Sequence, residues 1–107
     1  MAVTDFQKRV YAAVSRIPKG RVSTYKGIAV RIGCGSPRAV GQALKKNPFA
    51  PEVPCHRVIA SDLTIGGFQG RQAGVAIRRK EALLAAEGVY FSCGRLVERG
   101  RLIDKGG

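Results

Sequence analysis

Residues 24–48, TYKGIAVRIGCGSPRAVGQALKKNP, carry the signals of two helices separated by a tight turn. The spacing of the apolar residues predicts a short helix over 26–32, and the glycines of the 33–35 segment predict the turn. Ser36 is a favourable N-cap residue and Pro37 suits the first helical position, so a second helix is expected to begin there.

The second helix is a candidate for contact with DNA. It is expected to run to about Lys46 and to stop at Asn47-Pro48, because the residue before a proline disfavours helical backbone. Gly41 and Ala43 keep one face of it narrow, which suits either close approach to a groove or packing against another helix. Two helices joined by a tight turn, with bases on the second, are typical of a helix-turn-helix unit, although any two-helix corner gives a similar pattern.

Further elements are predicted on both sides of this unit. TDFQKRVYAAVSRIPKG begins with the capping-box pair Thr4 and Gln7 and predicts a helix, and VAIRRKEALLAAEG predicts another that ends at Gly88. GRVSTY predicts a short extended segment, and the tail from Val89 is compatible with short strands or a hairpin. The expected fold is mainly α, a winged-helix-like DNA-binding domain with a helix-turn-helix and short strands, forming a single domain over residues 1–107.

The charge of the chain indicates a polyanionic partner. The formal net charge is +12 over 107 residues, and no acidic residue lies between Asp5 and Glu52. A half of the chain in which every charge is positive favours nucleic acid as the binding partner. The plainer alternative is a protein that is merely basic. That interval contains ten basic residues: Lys8, Arg9, Arg16, Lys19, Arg21, Lys26, Arg31, Arg38, Lys45 and Lys46.

The composition argues against several other classes. The 45% of hydrophobic residues suits a globular chain, and no apolar run approaches the ~18–20 residues of a membrane span. The N-terminal segment has no secretory h-region, so an intracellular protein without membrane contact is expected. Three cysteines without a CxxC pair and a single histidine argue against a disulfide scaffold and a zinc site. We expect no metal and no cofactor.

The segment EVPCHRVIASDLTIGGFQG, residues 52–70, places Cys55 directly before His56, the only histidine. A thiolate is a nucleophile, an imidazole can take the thiol proton, and a carboxylate can fix the tautomer of the imidazole. Glu87, at the end of a predicted helix, can supply that carboxylate, which gives a possible Cys55-His56-Glu87 relay. Neighbouring side chains of a strand point to opposite faces, so a structural cysteine beside an exposed histidine fits equally well.

Five segments occur together in one order: GRVSTYKGIA, SPRAVGQALKKNP, VPCHRVI, GGFQG and KEALLAAEG. In these motifs and their spacing, which cover nearly all of residues 5–90, the chain resembles the DNA-binding catalytic domain of O6-alkylguanine-DNA alkyltransferase, also called methylated-DNA–protein-cysteine methyltransferase. The resemblance implies direct-reversal DNA repair, in which the alkyl group on the 6-oxygen of guanine is transferred irreversibly to Cys55. Each molecule acts once, and no cofactor is required.

The resemblance also implies how the lesion is reached. A base stacked in double-stranded DNA must be flipped out before its 6-oxygen is accessible. The second helix is expected to enter the minor groove, with Arg38 filling the vacated place and Tyr25 rotating the nucleotide and contacting the base. His56 is expected to act as the base through a water molecule, with Glu87 orienting it.

The remaining implied roles concern the substrate-binding surface. Asn47 is expected to join the second helix to the segment that carries Cys55 and His56. Leu44 and Phe68 are expected to form an apolar wall under the flipped base. The carbonyls of Cys55 and Val58 accept from the guanine amino group, and the amide of Gln69 donates to the 6-oxygen. Candidates for contact with DNA phosphates are Arg21, Lys45 and Lys46.

Without the resemblance these residues have plainer explanations. Tyr25 then caps a helix, Arg38 is a solvated charge, Asn47 is a stop signal and Glu87 is a helix-end ion-pair partner. A plain helix-turn-helix module explains the charge but leaves PCHRVI unexplained. The short length also resembles alkyltransferase-like proteins, which bind alkylated guanine and flag it for excision repair but lack the acceptor cysteine.

Two further expectations follow from the resemblance. The N-terminal domain that many family members carry is expected to be absent, because the first helix begins almost at Met1. The partner is expected to be double-stranded DNA with alkylated guanine, bound by a monomer in the cytoplasm and nucleoid of a prokaryote or the nucleus of a eukaryote.

Overall fold

The computed structural model describes residues 3–49, 52–67 and 74–103. Helix α1, Asp5–Ser15, begins with the predicted capping box, in which the Thr4 side chain accepts from the Gln7 amide and the Gln7 side chain accepts from the Thr4 amide. Its buried face is carried by Val10 and Val14 at helical spacing. This helix forms the base on which the next two helices pack.

Helices α2, Tyr25–Arg31, and α3, Pro37–Lys45, form the predicted helix-turn-helix, with bounds within one residue of the expected ones. The Thr24 hydroxyl caps α2, and the Ser36 hydroxyl caps α3 by accepting from the Ala39 amide at 3.1 Å. Gly33 makes the turn at φ +72°, a conformation that favours glycine.

The first hydrophobic core joins α1 to both helices of this unit. Val10, Val14, Ile28 and Val40 are fully buried in it. The Tyr11 hydroxyl donates to the Ala43 carbonyl at 2.7 Å, so α1 also holds α3 by a buried hydrogen bond. The position of α3 is therefore set by the core and by one buried polar contact.

A short parallel pair joins the helix-turn-helix to the PCHRVI segment. Strand β1, Ser23–Thr24, pairs with β2, Val58–Ile59, in the register Ser23 with Val58 and Thr24 with Ile59. Helix α2 follows β1 directly, and a 3-10 helix, Cys55–Arg57, directly precedes β2. The pairing brings the Cys-His segment next to the first turn of α2.

The C-terminal third closes a second core. Helix α4, Val75–Ala86, and the antiparallel hairpin of β3, Phe91–Ser92, and β4, Arg95–Leu96, contribute to it. The segment after the hairpin, residues 97–103, forms a C-terminal strap that is bonded to Val22. The Val22 amide donates to the Arg101 carbonyl, and the Ile103 amide donates to the Val22 carbonyl. The second core contains Val22, Ile59, Leu84, Val89 and Leu96.

The predicted fold class is confirmed: the protein is mainly helical, with a helix-turn-helix, short strands and a C-terminal hairpin. None of the helices in the described part of the chain has the length and apolar character needed to cross a membrane.

Candidate active site

The Cys-His pair lies on a single turn of 3-10 helix and not on a strand. The Arg57 amide donates to the Pro54 carbonyl at 2.9 Å and the Val58 amide donates to the Cys55 carbonyl, which close this turn. His56 is 7% exposed and Cys55 is half-buried. The alternative of an interior cysteine beside an exposed histidine is therefore not what the fold produces.

The predicted partner of the imidazole is in place. Glu87 is the C-cap residue of α4, and its Oε2 lies 3.1 Å from Nε2 of His56. Hydrogen bonds from Arg57 hold the pKa of Glu87 below its usual value, so this carboxylate is ionised and only accepts. The ring proton therefore sits on Nε2, and Nδ1 carries the lone pair that a general base needs.

Burial is the main influence on the imidazole itself. It lowers the pKa of His56, against the opposing effect of the Glu87 carboxylate and in the same direction as the cations of Arg57 and Lys80. The neutral ring, which is the form that accepts a proton, is thus favoured at neutral pH.

Arg57 is a site residue whose structural role the sequence did not reveal. Its Nε and Nη2 donate to Oε1 and Oε2 of Glu87 at 2.9 and 2.8 Å, a bidentate pair. Its Nη1 donates to the Ile17 carbonyl at 2.9 Å, just beyond the end of α1. The contacts to Glu87 span 30 residues, so no local pattern announces them.

Lys80 is the second residue that sequence reasoning missed. It is fully buried, and its Nζ donates to the carbonyls of Val58 at 2.7 Å, Ile65 at 2.6 Å and Gly67 at 2.9 Å. Burial lowers the pKa of this amine from 10.5 to about 7. A usable signal existed, because helical spacing places Lys80 on the same face of α4 as the buried Leu84.

Tyr25, predicted to rotate the nucleotide and contact the base, is the first residue of α2. Its hydroxyl is 3.4 Å from the Gly67 carbonyl, and burial, followed by the nearby Cys55, raises its pKa. A Cβ atom on Gly41 of α3 would lie 3.9 Å from the Tyr25 ring, so this glycine packs against α2. Of the two uses considered for the narrow face of α3, packing is therefore the one observed at Gly41.

Asn47 connects the end of α3 to the segment before Cys55. Its Nδ2 donates to the Val53 carbonyl at 3.1 Å and its Oδ1 accepts from the Phe49 amide at 2.9 Å. Leu44, predicted as an apolar wall, is buried in the first core, and the half-buried Cys55 packs against that same core. Helix α3 and the segment that carries Cys55 are thus fixed to each other.

The basic side chains predicted to contact DNA are exposed. Arg38 is the second residue of α3, and Lys45 and Lys46 lie at its end. Arg21 is also exposed and donates to the Gly100 carbonyl of the C-terminal strap.

The carbonyls assigned to the guanine amino group both accept one internal bond already, Cys55 from the Val58 amide and Val58 from Lys80. A carbonyl oxygen has two lone pairs, so each retains acceptor capacity. Phe68 and Gln69 lie outside the described residues. Across residues 3–49, 52–67 and 74–103, no group of three or more His, Cys, Asp or Glu side chains is arranged to hold a metal ion.

The chain matches a known protein family over most of its length. Residues 5–89 match the family model described as "6-O-methylguanine DNA methyltransferase, DNA binding domain". The methylated-DNA–protein-cysteine methyltransferase of Methanothermobacter thermautotrophicus is 48% identical over 86 residues, which are 80% of this chain and 46% of that protein. The chain spans about half the length of the curated relatives it matches.

Two solved structures with DNA are also similar. Mycobacterium tuberculosis OGT in complex with DNA gives a TM-score of 0.69 at 47% identity, covering 78% of this chain and 50% of that one. S. pombe Atl1, in complex with damaged DNA containing O6-carboxymethylguanine, gives 0.72 at 37% identity, covering 90% and 89%. On the family match over residues 5–89, the chain belongs to the 6-O-methylguanine DNA methyltransferase family, of which it contains the DNA-binding domain.

Proposed function

We propose that this protein repairs DNA by transferring the alkyl group from the 6-oxygen of guanine to Cys55 in a single, irreversible turnover. The observation that carries the proposal is the half-buried Cys55 next to the His56–Glu87 pair, on a segment fastened to a helix-turn-helix. A sulfur–carbon bond forms, the bond from the alkyl carbon to the guanine 6-oxygen breaks, and the thiol proton ends on the released guanine. No other reactant is consumed.

His56 activates the thiol in this proposal. Because Nε2 donates to the ionised Glu87, Nδ1 is the atom that takes the proton, relayed from Cys55 by one water molecule. Glu87 stabilises the imidazolium as it forms and holds the ring in the correct tautomer. Burial keeps the resting imidazole neutral, so the base is ready before the substrate binds.

The DNA partner is double-stranded and is approached from the minor groove by α3. The acid-free first half and the exposed bases of α3 supply phosphate contacts that do not depend on base sequence. Arg38 fills the space of the flipped guanine, and Tyr25, beside Cys55, contacts the base. One protein molecule binds one lesion as a monomer.

The relatives support guanine alkylated at the 6-oxygen as the substrate. The M. tuberculosis protein was crystallised with DNA, and the S. pombe protein with DNA that contains O6-carboxymethylguanine. The second of these matches nearly end to end, so binding of the lesion without transfer is the alternative function. Cys55, a thiol directly before the buried His56, favours transfer over that alternative.

The proposal is tested with duplex DNA that carries one 6-O-methylguanine. Digestion of the DNA to nucleosides and quantification of the lesion should show one guanine restored per protein molecule. Cys55→Ser should restore none and still bind the modified duplex more tightly than an unmodified one. Tight binding without restoration by the unaltered protein would overturn transfer and support the binding alternative.

A further inference from the structure

The guanidinium of Arg57 has all three of its nitrogens engaged. Nε and Nη2 donate to the two oxygens of Glu87, and Nη1 donates to the Ile17 carbonyl. The two side chains are largely shielded, with relative exposures of 16% for Arg57 and 12% for Glu87. The pair therefore links the end of α1, the Cys55–Arg57 turn and the end of α4 in a place where water screens it poorly.

This link decides where the Glu87 carboxylate points. Glu87 is the C-cap residue of α4. Oε2 accepts from both His56 Nε2 and Arg57 Nη2, while Oε1 accepts from Arg57 Nε. A planar guanidinium bound to both oxygens fixes the carboxylate plane, which the single bond to the imidazole does not.

The charge of Arg57 acts on the imidazole as well. The ionised groups that influence His56 are the Glu87 carboxylate and Lys80, both from α4, and Arg57 from its own turn. The carboxylate favours the imidazolium, and the two cations oppose it. Arg57 offsets a carboxylate that would otherwise favour protonation of the base.

We propose that Arg57 is a positioning residue, which aims the Glu87 carboxylate at Nε2 of His56 and keeps the imidazole unprotonated until it receives the thiol proton. This inference rests on the proposed function of His56 as the base. Orientation and charge are separate contributions, and two substitutions separate them. Arg57→Gln removes the charge, whereas Arg57→Lys keeps it but cannot reproduce the planar fork that holds Glu87 and the Ile17 carbonyl together.

The first measurement is an NMR titration of the imidazole, with Cys55→Ala in every protein so that no thiol ionises nearby. His56 is the only histidine, so its ring resonance needs no assignment. Both variants lose the fork to Glu87, so the effect of the charge is the difference between them: the titration midpoint of Arg57→Gln should lie at higher pH than that of Arg57→Lys. Arg79→Gln, which removes an exposed charge from the same helix as Glu87, is the control and should not move the midpoint.

The second measurement is the rate of transfer from free 6-O-benzylguanine as a function of pH, in proteins that retain Cys55. A free base removes any contribution from DNA binding. The acid limb of the profile should lie at higher pH in Arg57→Gln than in Arg57→Lys, and the rate at mildly acidic pH should differ about tenfold for each pH unit between the limbs. Arg57→Lys should lower the plateau by about tenfold relative to the parent, because the carboxylate is no longer held in place.

Equal His56 midpoints in Arg57→Gln and Arg57→Lys, or a wild-type plateau in Arg57→Lys, would overturn the inference. If Arg57→Gln does not fold, which its amide NMR spectrum reveals, the plateau of Arg57→Lys alone decides. If the unaltered protein transfers neither a benzyl group from the free base nor the methyl group of the methylated duplex, the proposed function fails. The histidine titration needs no reaction and still tests whether Arg57 controls the imidazole.

Discussion

Replacing Lys80 by methionine tests the central buried charge of the structure. The amine is fully buried, and burial lowers its pKa from 10.5 to about 7. Methionine has a similar length and no charge. Since the unfolded chain binds the lysine proton more tightly than the folded protein, the stability contributed by Lys80 rises with pH between about 7 and 10.5. Below about pH 7 Lys80 is protonated in the folded protein as well, so the free-energy cost of burying its charge is present in full.

The magnitude follows from linkage. Between these two pKa values, each pH unit should increase the stability of the parent over that of Lys80→Met by about 1.4 kcal/mol. From pH 7.5 to 9.5 the difference should therefore grow by about 3 kcal/mol. The three carbonyls that Lys80 bonds lose their donor in the variant at every pH, so they add a constant and do not alter the slope.

The assay is urea unfolding followed by helical circular dichroism at several pH values. Both proteins carry Cys55→Ser so that thiol ionisation does not contribute to the difference. Lys8→Met removes an exposed lysine of α1 and is the control, with a difference that should not depend on pH. A flat difference between the parent and Lys80→Met would refute the reasoning, because it would show that the three carbonyls keep the ammonium charged throughout.

Two other substitutions test the role of α3 in repair and the buried hydrogen bond that holds it. Arg38→Ala should leave stability within about 0.5 kcal/mol because the side chain is exposed, yet slow repair of duplex DNA far more than reaction with free 6-O-benzylguanine; equal losses on both substrates would contradict base flipping. Tyr11→Phe removes the buried bond to the Ala43 carbonyl and should cost about 1–3 kcal/mol in urea unfolding, whereas an unchanged midpoint would show that this bond contributes nothing.

The local elements were predictable from the sequence because their signals are local. The Thr4–Gln7 capping box, the Ser36 cap and the turn at Gly33 each depend on residues within four positions, and all are confirmed. The helix-turn-helix follows from them. The adjacent Cys55 and His56 are local in the same way. The partnership of His56 with Glu87 rests on the need of the chemistry for a carboxylate and on the family resemblance, not on a local pattern.

The contacts that support the site were not predictable in this way. The Arg57–Glu87 fork and the three carbonyls around Lys80 join residues that are 13 to 30 positions apart. Each depends on where β2 and α4 meet, and this is set by packing of the second core around Ile59 and Leu84. A lysine at a core-facing helical position was the one visible anomaly, and satisfied backbone carbonyls explain why the fold tolerates it.

Intact-protein mass spectrometry is the most direct test of alkyl transfer to Cys55. The protein is mixed with duplex DNA that carries one 6-O-methylguanine, and the modified peptide is then mapped. A permanent gain of one methylene unit per molecule is expected, located on Cys55 and absent in Cys55→Ser. An unchanged mass, with tight and selective binding to the same duplex, would contradict transfer and make Cys55 a thiol without a role in the reaction.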